Sequence, residues 1–226
     1  MGQICRQLRG YLKLVRSIMY IEIIMGIGSG KRSCGFFPYA EAVNLMSRCG
    51  NGAPWIKHCT AVSRFATYLS NIFAARYAIN IEFIRTASLL HDIGRYKTHD
   101  PILHGVEGYR LLSGLGYLSE AFVCASHVFY GLTSDEALTY GLPEQDFIPR
   151  SFEERLIPLV DFLVEHDRAV SLDRRFQTLR LKNRLNRDFL LRLEGAEEKA
   201  RTFMNQLNSE FNISMEQLAV SVLQAR

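Results

Sequence analysis

The chain has 226 residues, 48% of them hydrophobic, which is enough to bury a substantial core and favours a single domain. Its 27 basic and 23 acidic residues give a net charge of +4, a mildly basic balance that suits small anionic ligands without requiring nucleic acid. The five cysteines are odd in number and form no C-x-x-C pair, which argues against a disulfide framework or zinc ribbon and favours the reducing cytoplasm.

The first 35 residues are predicted to form an N-terminal extension outside the folded domain. Their apolar stretch IMYIEIIMGIG is shorter than the roughly 20 residues of a spanning helix, contains Glu22 and is followed by no A-x-A-like cleavage site. A signal peptide or anchor is therefore the less favoured interpretation, and no membrane partner is expected. The alternatives are a poorly folded segment and an over-long start, with Met19 or Met25 as the initiator. The segment GIGSGKRS does not match the phosphate-binding loop pattern, because Met25 stands where the pattern needs Gly and Arg32 where it needs Ser or Thr.

From Pro38 onward the sequence shows helical periodicity and no strand pattern of useful length, which predicts an all-α fold. Pro54 is expected to open a long helix that runs to about residue 77, with Val62 and Phe65 on its apolar face. His58 lies one turn before Val62, so its side chain is expected to point towards the core.

The next predicted helix has Asn80 as its N-cap and Gly94 as its stop. His91 and Asp92 would therefore lie at the C-terminal end of this helix, beside a loop. The loop that follows contains His104.

A later helix is predicted from residue 152 to about 170, because Ser151 and Glu154 match a capping box. Asp161 lies in the middle of its apolar face, where a buried carboxylate needs a partner cation. Pro158 is expected to loosen the first turns of this helix.

The remaining residues predict two or three amphipathic helices rich in Arg and Glu. The chain is accordingly divided into the extension (1–35), a helical domain (36–170) and C-terminal helices packed on that domain (171–226). Basic residues recur at helical spacing in the last part: Arg174, Arg175, Arg180, Lys182, Arg184 and Arg187. Such a run is more typical of a solvated helix face than of a nucleic-acid-binding stripe, so nucleic acid is not an expected partner.

Five of the six histidines lie between residues 58 and 127, most of them flanked by apolar helical sequence. Each of them alone would be interpreted as an ordinary core or surface histidine. As a group they favour a metal site, because adjacent His91 and Asp92 supply a nitrogen and a carboxylate from one backbone segment. One divalent cation would satisfy both of them together with Asp161.

The order of these residues resembles the HD superfamily of metal-dependent phosphohydrolases, whose motif runs His, then His-Asp, then a distant Asp on separate helices of a bundle. The matching segments are IKHCTAV with His58, SLLHDIGR with His91 and Asp92, and LVDFLVEHDR with Asp161. The resemblance extends over about residues 40 to 170, and LLHDIGR is its most specific element. It implies an orthogonal multi-helix HD-domain bundle, here with additional C-terminal helices.

Within that superfamily the chain is similar to members with extra histidines, since ILHGVEGYRLL and CASHVFYG each contain one. The resemblance implies a first metal on His58, His91, Asp92 and Asp161, and a second on Asp92, His104 and His127. Two such ions would lower the pKa of a bridging water to give hydroxide and would neutralise charge on phosphorus. One or two ions of Fe, Mn, Co, Ni or Zn would suit these ligands better than Ca, and Mg is also allowed.

The implied activity is hydrolysis of a phosphomonoester or nucleotide phosphate, with a phosphorylated small molecule or nucleotide as the partner. Asp92 is the expected catalytic residue together with Arg95, which would contact a phosphate oxygen unless it forms a surface salt bridge. The alternative function is a catalytically silent module of the same fold that binds metal and nucleotide. The sequence leaves the oligomeric state open.

Three other polar residues near these motifs are given no ligand role. His99 and Asp100 either orient a ligand imidazole or cap a turn, and capping is favoured. His166 is expected to face a polar surface away from the site. Segments 96–103 and 130–147 are the predicted pocket walls.

Overall fold

The computed structural model describes residues 35–50 and 52–224. Residues 1–34 of the predicted extension, with the apolar stretch and GIGSGKRS, lie outside the described residues. The described α-helices are α1 (Tyr39–Gly50), α2 (Pro54–Phe73), α3 (Ile81–Leu90), α4 (Leu103–Gly114), α5 (Leu118–Ser126), α6 (Ser134–Thr139), α7 (Phe152–Phe162), α8 (Leu172–Lys182), α9 (Arg187–Phe211) and α10 (Met215–Gln224). The prediction of an all-α fold is confirmed.

Short non-α elements connect some of these helices. Two 3₁₀ turns follow α3 and α5, at Ile93–Tyr96 and Val128–Tyr130. Strands β1 (Val164–Glu165) and β2 (Arg168–Ala169) pair antiparallel as a minimal hairpin after α7. Within the described range, no helix combines the length and the apolar character needed to cross a bilayer.

The helix starts follow the capping signals in the sequence. Pro54 occupies the first turn of α2, where its missing N–H costs nothing. The Asn80 side chain accepts a hydrogen bond from the backbone N–H of Phe83 at the start of α3. Ser151 and Glu154 form the predicted capping box of α7. These predictions are confirmed.

Two predicted helices are too long. The first ends at Phe73 rather than near residue 77. The second ends at Phe162 rather than near residue 170, because the chain reverses into the β1–β2 hairpin with His166 at a φ of 59°. A left-handed residue of this kind cannot continue a right-handed helix.

The C-terminal helices share the main hydrophobic core with the helices that precede them. Its largest cluster joins Phe65 of α2, Leu159 of α7, Phe203 of α9 and Leu223 of α10. A second cluster, which includes Trp55, lies among α1 to α5. The packing agrees with the placement of residues 171–226 on the same domain, while the boundaries given for the three parts stay a prediction.

Glycines allow a close approach between α4, α5 and the turn after α3. A Cβ atom on Gly94 would lie 1.9 Å from the carbonyl oxygen of His104, and one on Gly105 would lie 2.5 Å from that of Cys124. Both contacts are with backbone, which cannot move aside locally. Gly94 and Gly105 therefore let the histidine-bearing segments come together.

Candidate metal centre

The six predicted ligand side chains come from five segments of the chain and lie together in the structure. They are His58 of α2, His91 and Asp92 directly after α3, His104 of α4, His127 directly after α5, and Asp161 of α7. The four histidines and Asp92 are buried, and Asp161 is partly buried. The structure thus brings together residues that lie up to 103 positions apart, and their role as metal ligands stays a prediction.

Nitrogen and oxygen atoms of these side chains lie close enough for coordination of a common ion. His58 Nε2 is 2.8 Å from Asp161 Oδ1, and His104 Nε2 is 2.8 Å from Asp92 Oδ1. His127 Nε2 is 3.4 Å from the same Asp92 oxygen. Ligand atoms fall within 4.8 Å of one another in three groups: His58, His91 and Asp92; His91, His127 and Asp161; Asp92, His104 and His127.

All four imidazoles are held in the same way, through Nδ1 and a backbone carbonyl oxygen. The carbonyls belong to His166 for His58, Ser88 for His91, Asp100 for His104 and Cys124 for His127, at 2.7 to 3.0 Å. Because a carbonyl oxygen can only accept, each Nδ1 carries the proton and donates. Every Nε2 is then a lone-pair atom, and these atoms converge.

Several acceptor atoms therefore face one another without a hydrogen between them. Nε2 of His104 and Nε2 of His127 are 3.0 Å apart, and Nε2 of His91 and Oδ1 of Asp92 are buried without a hydrogen bond of acceptable geometry. Such groups repel and are costly to bury unless a cation or an extra proton lies between them. These residues fit a divalent transition metal, which prefers imidazole nitrogen and carboxylate oxygen.

Burial and neighbouring charges shift the pKa values of His104, Asp92 and Asp161. Burial lowers the pKa of His104, which opposes a second proton on its ring. Burial alone would raise the pKa of Asp92, but the neighbouring His104, His91 and Arg95 outweigh it and lower this pKa well below its usual range. Burial alone would also raise the pKa of Asp161, but the neighbouring His58 and His91 outweigh it and lower this pKa well below its usual range. Both carboxyl groups are therefore charged at neutral pH.

The other residues singled out in the sequence have definite places. Nε of Arg95 donates to Oδ2 of Asp92, so this arginine is tied to the cluster rather than to a surface carboxylate. The Asp100 side chain accepts hydrogen bonds from the backbone N–H groups of residues 102 and 103 and so caps the start of the next helix. Its backbone carbonyl accepts from His104 Nδ1 and so orients that imidazole ring. This cap starts α4 at Leu103, which places His104 on a helix rather than in the predicted loop.

His166 was expected to face a polar surface away from the site, and its position differs from that expectation. It is exposed but lines the cavity at the cluster, and its carbonyl oxygen accepts from His58 Nδ1. The over-long prediction for α7 is the reason, since a continuous helix would carry His166 away. Its exclusion as a ligand stays a prediction. An early helix end after Asp161 could have been suspected from the polar run EHDR.

The backbone after His127 is strained and is fixed by packing. Phe129 and Tyr130 have φ values of 53° and 62°, a conformation that costs non-glycine residues on the order of 1–3 kcal/mol each. The Phe129 ring packs edge-on against Phe189 of α9 at 4.8 Å. The Tyr130 hydroxyl donates to the carbonyl oxygen of Arg155. Helices α7 and α9 thus hold the turn that positions His127.

A cavity of about 350 Å³ opens onto the cluster. Its lining includes His99 from the predicted wall 96–103. No residue of the other predicted wall, 130–147, lines it; the hairpin residue Glu165 and two residues of α8 contribute to the lining instead. The contribution of α8 was not predicted, because its basic residues are typical of a solvated helix face.

Comparison with known proteins agrees with this geometry. The sequence profile described as HD domain matches residues 55–156. An uncharacterised protein of Methanocaldococcus jannaschii is 37% identical over 120 residues, which cover 52% of this chain and 70% of that protein. The chain belongs to the HD domain family. No solved structure gives a significant match.

Two further relatives are named for another activity. A tRNA (cytidine(56)-2′-O)-methyltransferase of Picrophilus torridus is 30% identical over 129 residues, which cover 57% of this chain and 36% of the enzyme. The enzyme of the same name from Thermoplasma volcanium is 27% identical over 141 residues, which cover 62% of this chain and 40% of that enzyme. The chain therefore spans well under half the length of either methyltransferase.

Proposed function

We propose that this protein is a metal-dependent phosphohydrolase that cleaves a phosphomonoester or a nucleotide phosphate. The observation that supports this most strongly is the shared orientation of His58, His91, His104 and His127. Each ring donates through Nδ1 to a backbone carbonyl, so four Nε2 lone pairs converge on two ionised carboxylates. Rings fixed in this way form a preorganised ligand set.

The ligand set divides into two parts that share Asp92. His58, His91, Asp92 and Asp161 would hold one divalent ion, and Asp92, His104 and His127 would hold a second. Bound ions of Fe, Mn, Co, Ni, Zn or Mg would supply an activated water and charge neutralisation at phosphorus. The grouping within 4.8 Å of the ligand atoms of Asp92, His104 and His127 supports the second part.

Arg95 has two roles in this proposal. Its Nε donates to Oδ2 of Asp92 and so holds the carboxylate that both parts share. Its side chain also lines the cavity, where the guanidinium can donate to a phosphate oxygen of the substrate. The same residue therefore orients a ligand and binds the substrate.

The test is a phosphatase assay with purified protein and added Mn²⁺, Fe²⁺, Co²⁺, Ni²⁺ or Mg²⁺ on a panel of phosphomonoesters and nucleotides. We expect turnover of at least one substrate, and an Asp92→Asn variant should lose at least about 100-fold of it. Asp135→Asn makes the same chemical change on the exposed face of α6 and should retain full activity. Full activity in Asp92→Asn would refute the proposal.

A second candidate, a catalytically silent module that binds metal and nucleotide, is favoured by the methyltransferase relatives. In both of them the segment similar to this chain makes up 40% or less of a protein named for methyl transfer to tRNA. A segment of that kind could serve a binding role beside another activity. Tight binding of AMP without any product after long incubation with each metal would select this candidate over hydrolysis.

A further inference from the structure

Cationic side chains from two separate segments line the cavity beside the candidate metal centre. One is Arg95, whose Nε donates a hydrogen bond to Asp92 of the cluster. The others are Arg175 and Lys182 of α8. The two residues are seven positions apart, which is close to two helical turns, so they project from the same face of α8.

The side chain of Arg175 is largely but not fully buried, and one of its N–H groups is unsatisfied. Its side chain is only 16% exposed, and its Nε has no hydrogen-bond partner although it is inaccessible to solvent. Nη1 is 3.8 Å from Oε1 of Glu165, which is an ionic contact and too long for a hydrogen bond. A guanidinium N–H that is buried and unsatisfied is costly, and an anionic ligand would satisfy it.

Glu165 is shared between two cations. The same Oε1 atom that faces Arg175 lies 3.6 Å from Nζ of Lys182. One carboxylate therefore balances two positive charges, and neither contact reaches hydrogen-bonding distance. A net positive charge is left on this side of the cavity, where an incoming anion would compete with Glu165.

Both cations lie outside the segment that matches the HD domain, which ends at residue 156. They are added by the C-terminal helices. Their neighbour Arg174 is exposed and does not line the cavity, so the cationic face of α8 towards the cavity is formed by particular positions and not by the whole basic run.

We propose that Arg175 and Lys182 bind a second anionic group of the substrate, such as a second phosphate, while the phosphate to be cleaved lies at the His/Asp cluster. The substrate class is then a phosphorylated molecule with at least two anionic groups. This inference rests on the proposed function for the location of the first phosphate. Glu165 is the counter-ion that the second anionic group displaces.

The test measures binding by calorimetry, with orthophosphate as a probe of one anionic group and methylenediphosphonate as a non-hydrolysable probe of two. Protein loaded with stoichiometric Mn²⁺ should bind methylenediphosphonate more tightly than orthophosphate. Arg175→Ala should lower the affinity for methylenediphosphonate by about 10-fold or more, as expected for loss of a charged hydrogen bond. The affinity for orthophosphate should not change. Arg174→Ala, on the exposed side of the same helix, should affect neither probe.

Glu165→Gln provides a second variant with the opposite sign. Removal of the competing carboxylate should raise the affinity for methylenediphosphonate and leave the affinity for orthophosphate largely unchanged. The proposal is overturned if wild-type protein shows no preference for the diphosphonate, if Arg174→Ala and Arg175→Ala act alike, or if Glu165→Gln has no effect. Because binding is measured without turnover, these results are independent of whether a phosphate ester is hydrolysed.

Discussion

At the scale of single residues, the candidate metal centre depends on backbone carbonyls as much as on side chains. Each imidazole is fixed through Nδ1 by a carbonyl oxygen from its own segment or from the β1–β2 hairpin. Side chains of the right type can be recognised in a sequence, as His58 and Asp161 were. The carbonyl that orients each ring cannot be, because any residue type supplies one.

Measurements of metal affinity can distinguish the histidines proposed as ligands from those that only lie near the cluster. His104→Ala should weaken binding of one divalent ion by at least about 10-fold, because it removes a nitrogen beside Asp92. His99→Ala should leave metal affinity unchanged, since His99 is exposed and only lines the cavity. Isothermal titration calorimetry with Mn²⁺ measures the metal affinity of both variants. Equal losses in the two variants would contradict the assignment.

Glu120 offers a residue-scale prediction away from the metal centre. It is 1% exposed and accepts a hydrogen bond from the backbone N–H of Phe37 at 2.7 Å. Burial raises its pKa above the usual glutamate range, and the backbone hydrogen bond offsets this only in part. The folded state therefore binds a proton more readily than the unfolded state does, and this residue makes stability fall as the pH rises past the ordinary glutamate pKa.

The Glu120→Gln variant should lack that loss of stability. Urea unfolding at a series of pH values, in EDTA, should give a smaller decline in the free energy of unfolding above the ordinary glutamate pKa than in wild type. Glu41→Gln, which alters an exposed glutamate on α1, should retain the wild-type dependence. A Glu120→Gln curve parallel to that of wild type would show that burial does not control this group.

At the scale of elements, capping signals predicted where helices begin better than periodicity predicted where they end. Asn80 and Ser151 mark the starts of α3 and α7 correctly. The end of α7 was missed because the residues beyond Phe162 continue an apolar pattern while the backbone reverses at His166. The His58 side chain donates to the His166 carbonyl at this reversal. The polar run EHDR is the one local signal for the helix end, and this tertiary contact cannot be read from local sequence.

Glycines at helix contacts give an element-scale prediction. A Cβ on Gly105 would lie 2.5 Å from the backbone oxygen of Cys124, so Gly105→Ala should push α4 from α5 and cost about 1–3 kcal/mol of unfolding free energy. Gly195 lies exposed within α9 with nothing near its Cβ position. Gly195→Ala should instead stabilise the protein by about 1 kcal/mol. Urea denaturation measures both, and a stabilising Gly105→Ala would disprove the close-packing account.

At the scale of the whole molecule, the C-terminal helices complete the core, so the described residues should unfold as one unit. Trp55, the single tryptophan, lies in the cluster beside α1, whereas much of the helical signal comes from α9 in the other cluster. Tryptophan fluorescence and far-UV circular dichroism should therefore report the same urea midpoint. Loss of helical signal before the fluorescence change would indicate that α8 to α10 form a separate unit.

The central claim is that the converging Nε2 atoms and carboxylates bind a divalent ion, and anomalous diffraction from crystals grown with Mn²⁺ tests it most directly. The account predicts an anomalous peak about 2 Å from Nε2 of His58 and His91 and from carboxylate oxygens of Asp92 and Asp161. A second peak is predicted beside His104 and His127. Saturating Mn²⁺ with no peak among these six side chains, or with a peak only elsewhere on the protein, would contradict it.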